Sequence, residues 1–525
     1  MVVNSLAFLW FFLFVLVVYY LCQTKKEVQN VFLLGCSYWF YSQVDIKMTV
    51  LLIILTLVFW MLGKSIYRYM EHEDERKASL VTTVGVIIGI GALFYFKYLN
   101  FFAESVASFA SFLGFHMSWT ALHLVVPIGL SFFTFKLMSY VLDIHHGKIL
   151  PEGNIISFAN YIAFFPTILS GPIDRPKPFL TQANEARPFN PDQLMTGFRR
   201  VLWGMFLKMC IADRLDIYVS AIWNNYEHHS AISILFASLL YPLQMYADFG
   251  GYSEMAIGVA LMLGFKVAEN FKRPFFVLDI AGYWSRWHMT LTSWLTDYVF
   301  LPLNIKFREW GVYGTIFAIM LNMMFIGMWH GANWTFFLFG IYHGLWYIPL
   351  MVGGGFFKKR KIKVNTHGWP KQKYVWKMVG IYHGLWYIPL MVGGGFFKKR
   401  KIKVNTHGWP KQKYVWKMAG IYLVVTFGLM LFHSANISEF WHICERVATH
   451  WEGGLFTDMS SMVNGAICLI ALIYVDIQEE WFPKYQLPLP QFVNGWRWEL
   501  TVAVEIVAIL LFGVFDNNQF IYFQF

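Results

Sequence analysis

The sequence predicts an all-α, polytopic membrane protein with roughly 11–13 membrane-embedded helices, some of them short or re-entrant. Three observations carry this expectation. Of its 525 residues, 57% are hydrophobic and only 14% charged, and the mean hydropathy is +0.47; a soluble domain averages about 25% charged residues. The apolar residues form long unbroken runs, not the short alternating segments of a membrane β-barrel. The basic residues that give the net charge of +11 gather in short loops between those runs, as cytoplasmic loops do. No stretch is polar enough for a soluble second domain, so residues 1–525 read as a single membrane-embedded domain.

Residues 5–22 form the first span. No positively charged segment precedes it and no small-residue cleavage site follows, so it is a retained helix and not a removed signal peptide. Lys25 and Lys26 follow directly, which places the N-terminus outside and this first turn in the cytoplasm. The runs 30–41, 47–63 and 80–102 come next; the first is too short for a comfortable span and reads as interfacial. Residues 67–79 mix both charge signs and form a solvated loop. Residues 103–117 are amphipathic and suit the interface. His123 opens a helix to Val141, in which Pro127 and Gly129 predict a kink or irregular turn packed by protein. Asp143, His145 and His146 then leave the bilayer.

The run 155–170 stops at Gly171-Pro172. Asp174 and Arg175 beside it are either a solvated turn or the wall of a substrate entrance. After a polar loop, 194–223 is a long helix bearing Arg199, Arg200, Lys208 and Asp213. The run 231–265 holds Asp248 and Glu254, with Gly250-Gly251 expected to interrupt the helix between them. Buried carboxylates need partners, so Asp248 serves either a structural hydrogen bond or a cavity wall. Past the basic turn 266–273, residues 276–303 carry Trp284, Arg286, Trp287, His288, Trp294 and Asp297. That composition suits a shallow or re-entrant segment better than a plain span. The run 312–339 contains Met328-Trp329-His330-Gly331-Ala332-Asn333-Trp334.

Residues 340–379 and 380–419 are the same forty residues apart from Val379 and Ala419. Solenoid repeats diverge and need at least three units, so this near-identity marks a recent tandem duplication or an assembly error. A full span at 381–397 would put two identical basic loops on opposite faces, against the positive-inside rule. The insert therefore reads as a cytoplasmic hairpin or excursion, and His383 as a displaced copy of His343. Helices at 414–432, 462–477 and 500–515 follow. His433, His442 and His450 lie in the first connection, in solvated or interfacial positions, and 520–525 form an aromatic tail.

No groove-reading motif accompanies the positive charge, which excludes nucleic acid as a partner; anionic lipid suits the basic loops better. The five cysteines are scattered without metal or redox spacing and read as small buried hydrophobes. The chemistry rests on His330 and His288. Ionisable side chains inside a membrane run are costly and mark functional sites. A neutral imidazole is a good general base, able to take a proton from a hydroxyl attacking an activated carbonyl. Asn333 or nearby indole N–H groups such as that of Trp329 supply candidate donors for the developing oxyanion. A metal site from His288, His330, His343 and Asp248 is the rival, but no paired-histidine motif supports it, so no metal is expected. At ~100° per residue, His343 falls on a different helix face from His330 and reads as a structural histidine.

Four ordered motifs resemble the membrane-bound O-acyltransferase family: Ser170-Gly171-Pro172-Ile173, Tyr246-Ala247-Asp248-Phe249-Gly250-Gly251-Tyr252-Ser253, Trp284-Ser285-Arg286-Trp287-His288 with the residues on to Trp294, and the segment Met328–Trp334. Within the family the chain is most similar to the bacterial alginate O-acetyltransferase type. The resemblance implies an essential histidine at His330 and a second signature histidine at His288. It implies helices around a central tunnel in the bacterial inner membrane, where a cytoplasmic acyl donor meets an extracytoplasmic acceptor. It implies no bound cofactor, a donor such as acetyl-CoA or an acyl carrier thioester, a cell-surface polysaccharide acceptor and an exported partner protein. Arg286, Asn333, Trp329 and Asp248 are the candidate substrate-binding residues, with Arg286 suited to an anionic part of the donor. D-alanyl transfer to a cell-wall polymer is one alternative. A transporter of a small anion or lipid-linked sugar is another, although no inverted repeats are evident.

Overall fold

The computed structural model describes residues 3–23, 25–115, 119–122, 124, 126–352, 410, 412–482 and 496–515. Every regular element among them is helical. Among the described residues seven helices are long and apolar enough to cross a membrane: Ile46–Glu71, Glu75–Phe112, Ala231–Met262, Val312–His330, Trp334–Val352, Gln412–His433 and Met462–Trp481. The shorter apolar helix Leu6–Leu21 precedes them. The chain is a multi-pass helical membrane protein. The second repeat copy up to residue 409, His123 and the tail 520–525 lie outside the described residues.

Several boundaries differ from the hydropathy reading, each for a physical reason. The run expected at 30–41 is a seventeen-residue helix, Lys26–Ser42. Its polar Gln29 and Asn30 are buried and donate to the carbonyls of Arg187 and Ala183 at 3.0 and 2.8 Å. The runs 80–102 and 103–117 are one helix, Glu75–Phe112, joined through a π-helical turn at Phe94–Tyr98. At membrane depth an unbroken helix leaves no backbone group unsatisfied, which a change in side-chain composition does not alter. The irregular turn expected near Pro127 is present: Gly129 has φ 79° and the helix Leu130–His145 starts after it. A side chain at Gly129 would meet the Ile168 carbonyl, so this left-handed position suits glycine alone.

Gly250-Gly251 does not interrupt its helix, contrary to expectation; Ala231–Met262 runs through both glycines and Pro242. A Cβ on Gly204 would stand 2.5 Å from the Gly251 carbonyl oxygen, and one on Gly251 would stand 2.7 Å from that of Gly204. The glycines let Pro191–Met205 approach Ala231–Met262 backbone to backbone. Membrane helices pack this way through small residues. At that crossing Lys208 holds both Asp213 and Asp248 at 2.7 Å, and all three side chains are buried. His433, expected in a solvated or interfacial position, is half-buried, with its ring 4.7 Å from Trp223 and 4.5 Å from Tyr241.

The segment 276–303 is broken, as its composition suggests. It forms the short helices Ile280–Trp284 and Met289–Leu295, a π-helical turn Thr296–Phe300 and the helix Leu301–Lys306. The run 312–339 is likewise two elements, Val312–His330 and Trp334–Leu345, separated by three residues. Both breaks sit at the histidines.

Candidate active site

His288 occupies the gap between two short helices, with φ 43° and ψ 53°. A left-handed backbone costs an L-residue about 1–2 kcal/mol, and such strain persists only where the surroundings impose it. Here Asn270 imposes it. The Asn270 carbonyl accepts from the Met289 N–H at 2.8 Å. Its side-chain oxygen accepts from Thr290 N at 3.3 Å and Thr290 Oγ1 at 2.9 Å, and lies 3.0 Å from His288 Nδ1. The Asn270 amide nitrogen donates to Ser253 Oγ at 3.2 Å, which fixes which end of the amide faces the imidazole. Nδ1 is therefore the protonated ring nitrogen, and Nε2 carries the lone pair. One hydrogen bond selects the tautomer that presents a base.

His330 is the last residue of Val312–His330 and is buried. Its ring centroid lies 6.4 Å from that of His288. Trp329 fills the corner between them, 5.5 Å from His288 and 5.2 Å from His330. Phe132 packs on Trp329 at 5.2 Å and Phe432 on His330 at 5.1 Å. His330 lines a cavity of about 440 Å³. Trp329, Asn333, Ser131, Ser170, Lys97 and the Pro127–Gly129 turn are also in its wall. The two histidines are thus within one acyl group of each other, with an open volume on the His330 side.

Of the other candidates, Asn333 lines the cavity but its amide has two tasks. It caps the next helix by accepting from Thr335 N at 3.1 Å and donates to the Ala435 carbonyl at 2.6 Å. Arg286 donates to Glu480 at 3.0 Å and is partly exposed. Asp248 stands in the Lys208 pair and is not in the cavity wall. His343 is buried against Trp284 and Phe339 at 5.3 and 4.5 Å, with Phe339 also 6.4 Å from His330. Among the described residues no trio of His, Cys, Asp or Glu is placed to hold a metal ion. Sequence reading missed Asn270 and Lys97. Asn270 is neutral and sits in a basic turn, so nothing local marks it; Lys97 is a charge inside an apolar run and carried the same signal as the histidines.

The model of the membrane-bound O-acyltransferase family matches residues 33–393. The chain belongs to this family. As a member it is an O-acyltransferase, and the two neighbouring histidines, their rings tilted by 58°, suit proton transfer during that reaction. Over 347 residues it is 34% identical to a probable alginate O-acetylase of Pseudomonas putida, a match covering 66% of this chain and 70% of that one. It is 27% identical to a peptidoglycan O-acetyltransferase of Helicobacter pylori, covering 60% of this chain and 63% of the relative. It is 30% identical to a teichoic acid D-alanyltransferase of Bacillus subtilis, covering 48% of this chain and 62% of the relative. The names of these three relatives give three acceptors and two acyl groups, so membership fixes the reaction type and leaves both substrates open.

Proposed function

We propose that the protein moves an acetyl or similar short acyl group from a cytoplasmic thioester, acetyl-CoA or an acyl carrier, to a hydroxyl of an extracytoplasmic polysaccharide. The observation that supports this reading is the pair of imidazoles 6.4 Å apart, which we read as approached from opposite faces of the membrane. The helix Trp334–Val352 leads into the basic run Lys358-Lys359-Arg360-Lys361. The positive-inside rule assigns that run to the cytoplasm, so His330 and the cavity fall at the extracytoplasmic end. The broken segment around His288 lies between the basic turn 266–273 and Lys306-Phe307-Arg308, which places its entrance on the cytoplasmic side. With the N-terminus outside and this orientation in the bacterial inner membrane, donor and acceptor reach the histidines from the two sides.

In the reaction, His330 takes the proton of the acceptor hydroxyl. The hydroxyl oxygen bonds to the acyl carbon as the carbon–sulfur bond breaks, and the proton passes to the leaving thiolate. His288, in its Nε2-base tautomer, positions the thioester. The Trp329 indole N–H is a donor for the oxyanion, while Asn333 holds the turn that shapes the cavity. Arg286, partly open to solvent, exchanges its Glu480 partner for an anionic part of the donor; Asp248 braces the helix crossing behind His288. The acceptor hydroxyl at the cavity mouth is that of an exported protein, from which a glycan hydroxyl then takes the acyl group as the protein's hydroxyl is released. The 30% likeness to a teichoic acid D-alanyltransferase supports a second reading, in which the acyl group is D-alanyl and the acceptor a cell-wall polymer. Purified protein given radiolabelled acetyl-CoA, the exported partner and polysaccharide tests the first reading. Label enters the glycan with wild type and not with His330→Ala; equal labelling by both proteins contradicts it.

A further inference from the structure

The helix carrying His330 ends without a cap of its own. Gly331 follows in an extended conformation, φ −163° and ψ 158°, so no turn folds back to satisfy the last carbonyls. A helix leaves four such carbonyls without intrahelical partners, and in a membrane no bulk water replaces them. Another helix supplies the donors. Lys97 Nζ donates to the Trp329 and His330 carbonyls at 2.8 and 2.7 Å, and the Tyr98 hydroxyl donates to the Met328 carbonyl at 2.8 Å. Both side chains come from the π-helical turn Phe94–Tyr98 inside Glu75–Phe112. Such turns recur at functional positions.

A neutral donor such as asparagine or serine satisfies a carbonyl at lower desolvation cost than an ammonium does. The ammonium adds two things. It opposes the negative end of the helix dipole, which is concentrated on these same carbonyls. It also binds the carbonyl of His330 itself, so it fixes the backbone from which the imidazole projects. Lys97 lines the cavity beside His330 and lies 5.9 Å from the Trp329 ring centre. We propose that Lys97 is a positioning residue for acyl transfer: from a separate helix it clamps the C-terminus of the His330 helix and thereby sets where the base stands. This rests on the reading that His330 is the base.

Steady-state kinetics on purified protein, with labelled acetyl-CoA and acceptor both varied, test it. Lys97→Met keeps the length and removes charge and donors. Its kcat falls about 100-fold, the size of effect a displacement of about 1 Å produces, while KM for the donor stays within twofold. Lys97→Arg, which keeps charge and donors, recovers at least a third of the wild-type kcat. Tyr98→Phe removes a donor from the same helix end without touching the His330 carbonyl and loses less than threefold. The inference is overturned if Lys97→Met retains kcat, if Lys97→Arg is no better than Lys97→Met, or if Tyr98→Phe loses as much. If Lys97→Met does not fold, the Lys97→Arg and Tyr98→Phe results still decide. A wild-type enzyme that transfers no acyl group, or an active His330→Ala, overturns the proposed function instead.

Discussion

Asn270 gives the sharpest prediction, because no motif points to it and its effect follows from counted bonds. Its side-chain oxygen serves His288 Nδ1, Thr290 N and Thr290 Oγ1 at 3.0, 3.3 and 2.9 Å. Asn270→Ala removes all three acceptances inside a buried shell. Each buried donor left unsatisfied costs about 1–3 kcal/mol. The Thr290 hydroxyl can turn elsewhere, so the imidazole and the Thr290 N–H remain, and the protein loses about 2–6 kcal/mol of stability. The imidazole also loses the bond that selects its tautomer. If about 1.4–2.8 kcal/mol of that loss falls on the productive orientation, kcat drops roughly 10- to 100-fold. Asn270→Asp keeps an oxygen facing all three donors, so it holds the same tautomer and retains most of the activity. The assay is steady-state transfer of labelled acyl group by purified enzyme, with thermal unfolding in detergent run alongside. Wild-type kcat in Asn270→Ala, or an Asn270→Asp as impaired as the alanine variant, would refute the tautomer argument.

Other outcomes follow from the same geometry. Lys208→Met leaves Asp213 and Asp248 facing each other without their cation and lowers stability by about 3–5 kcal/mol, read as loss of folded protein in size-exclusion chromatography. Gly204→Val places side-chain atoms against the Gly251 carbonyl; overpacking costs about 1–3 kcal/mol or more, so expression falls while Gly35→Val, in open space, is neutral. Arg286→Gln raises KM for the donor about tenfold through loss of one charge-assisted hydrogen bond and spares kcat; an unchanged KM assigns Arg286 to its Glu480 pair alone. Of cysteines placed at the exposed positions His72 and Glu452, Glu452→Cys reacts with an impermeant maleimide on intact cells and His72→Cys only after permeabilisation. Labelling of both from outside would reverse or break the proposed topology.

What the sequence made legible was decided by locality. A histidine between tryptophans in an apolar run stands out without any partner, and both histidines do meet in space. The broken segment 276–303 was legible because its Trp, Arg and His residues leave no apolar face long enough to span. Gly250-Gly251 misled for a physical reason. In water glycine weakens a helix, but in a membrane the helix has no competing solvent, and the absent side chain becomes a docking surface for Gly204. The division at residue 102 misled similarly: hydropathy changed there, and backbone hydrogen bonding did not. The ion pairs of Asp248 and Arg286 join residues far apart in the chain, Lys208 and Glu480, which no pattern links. Asn270 acquires meaning only when the turn 266–273 folds against His288.

The central claim is that an acyl group passes between two histidines reached from opposite membrane faces. Proteoliposomes with labelled acyl donor restricted to the cytoplasmic-side compartment and acceptor glycan, together with any exported partner, restricted to the other test it directly. Label is expected in the glycan across the membrane with wild type, and not with His330→Ala or His288→Ala. Label appearing only when donor and glycan share a compartment, or crossing equally well without His330, would contradict the account.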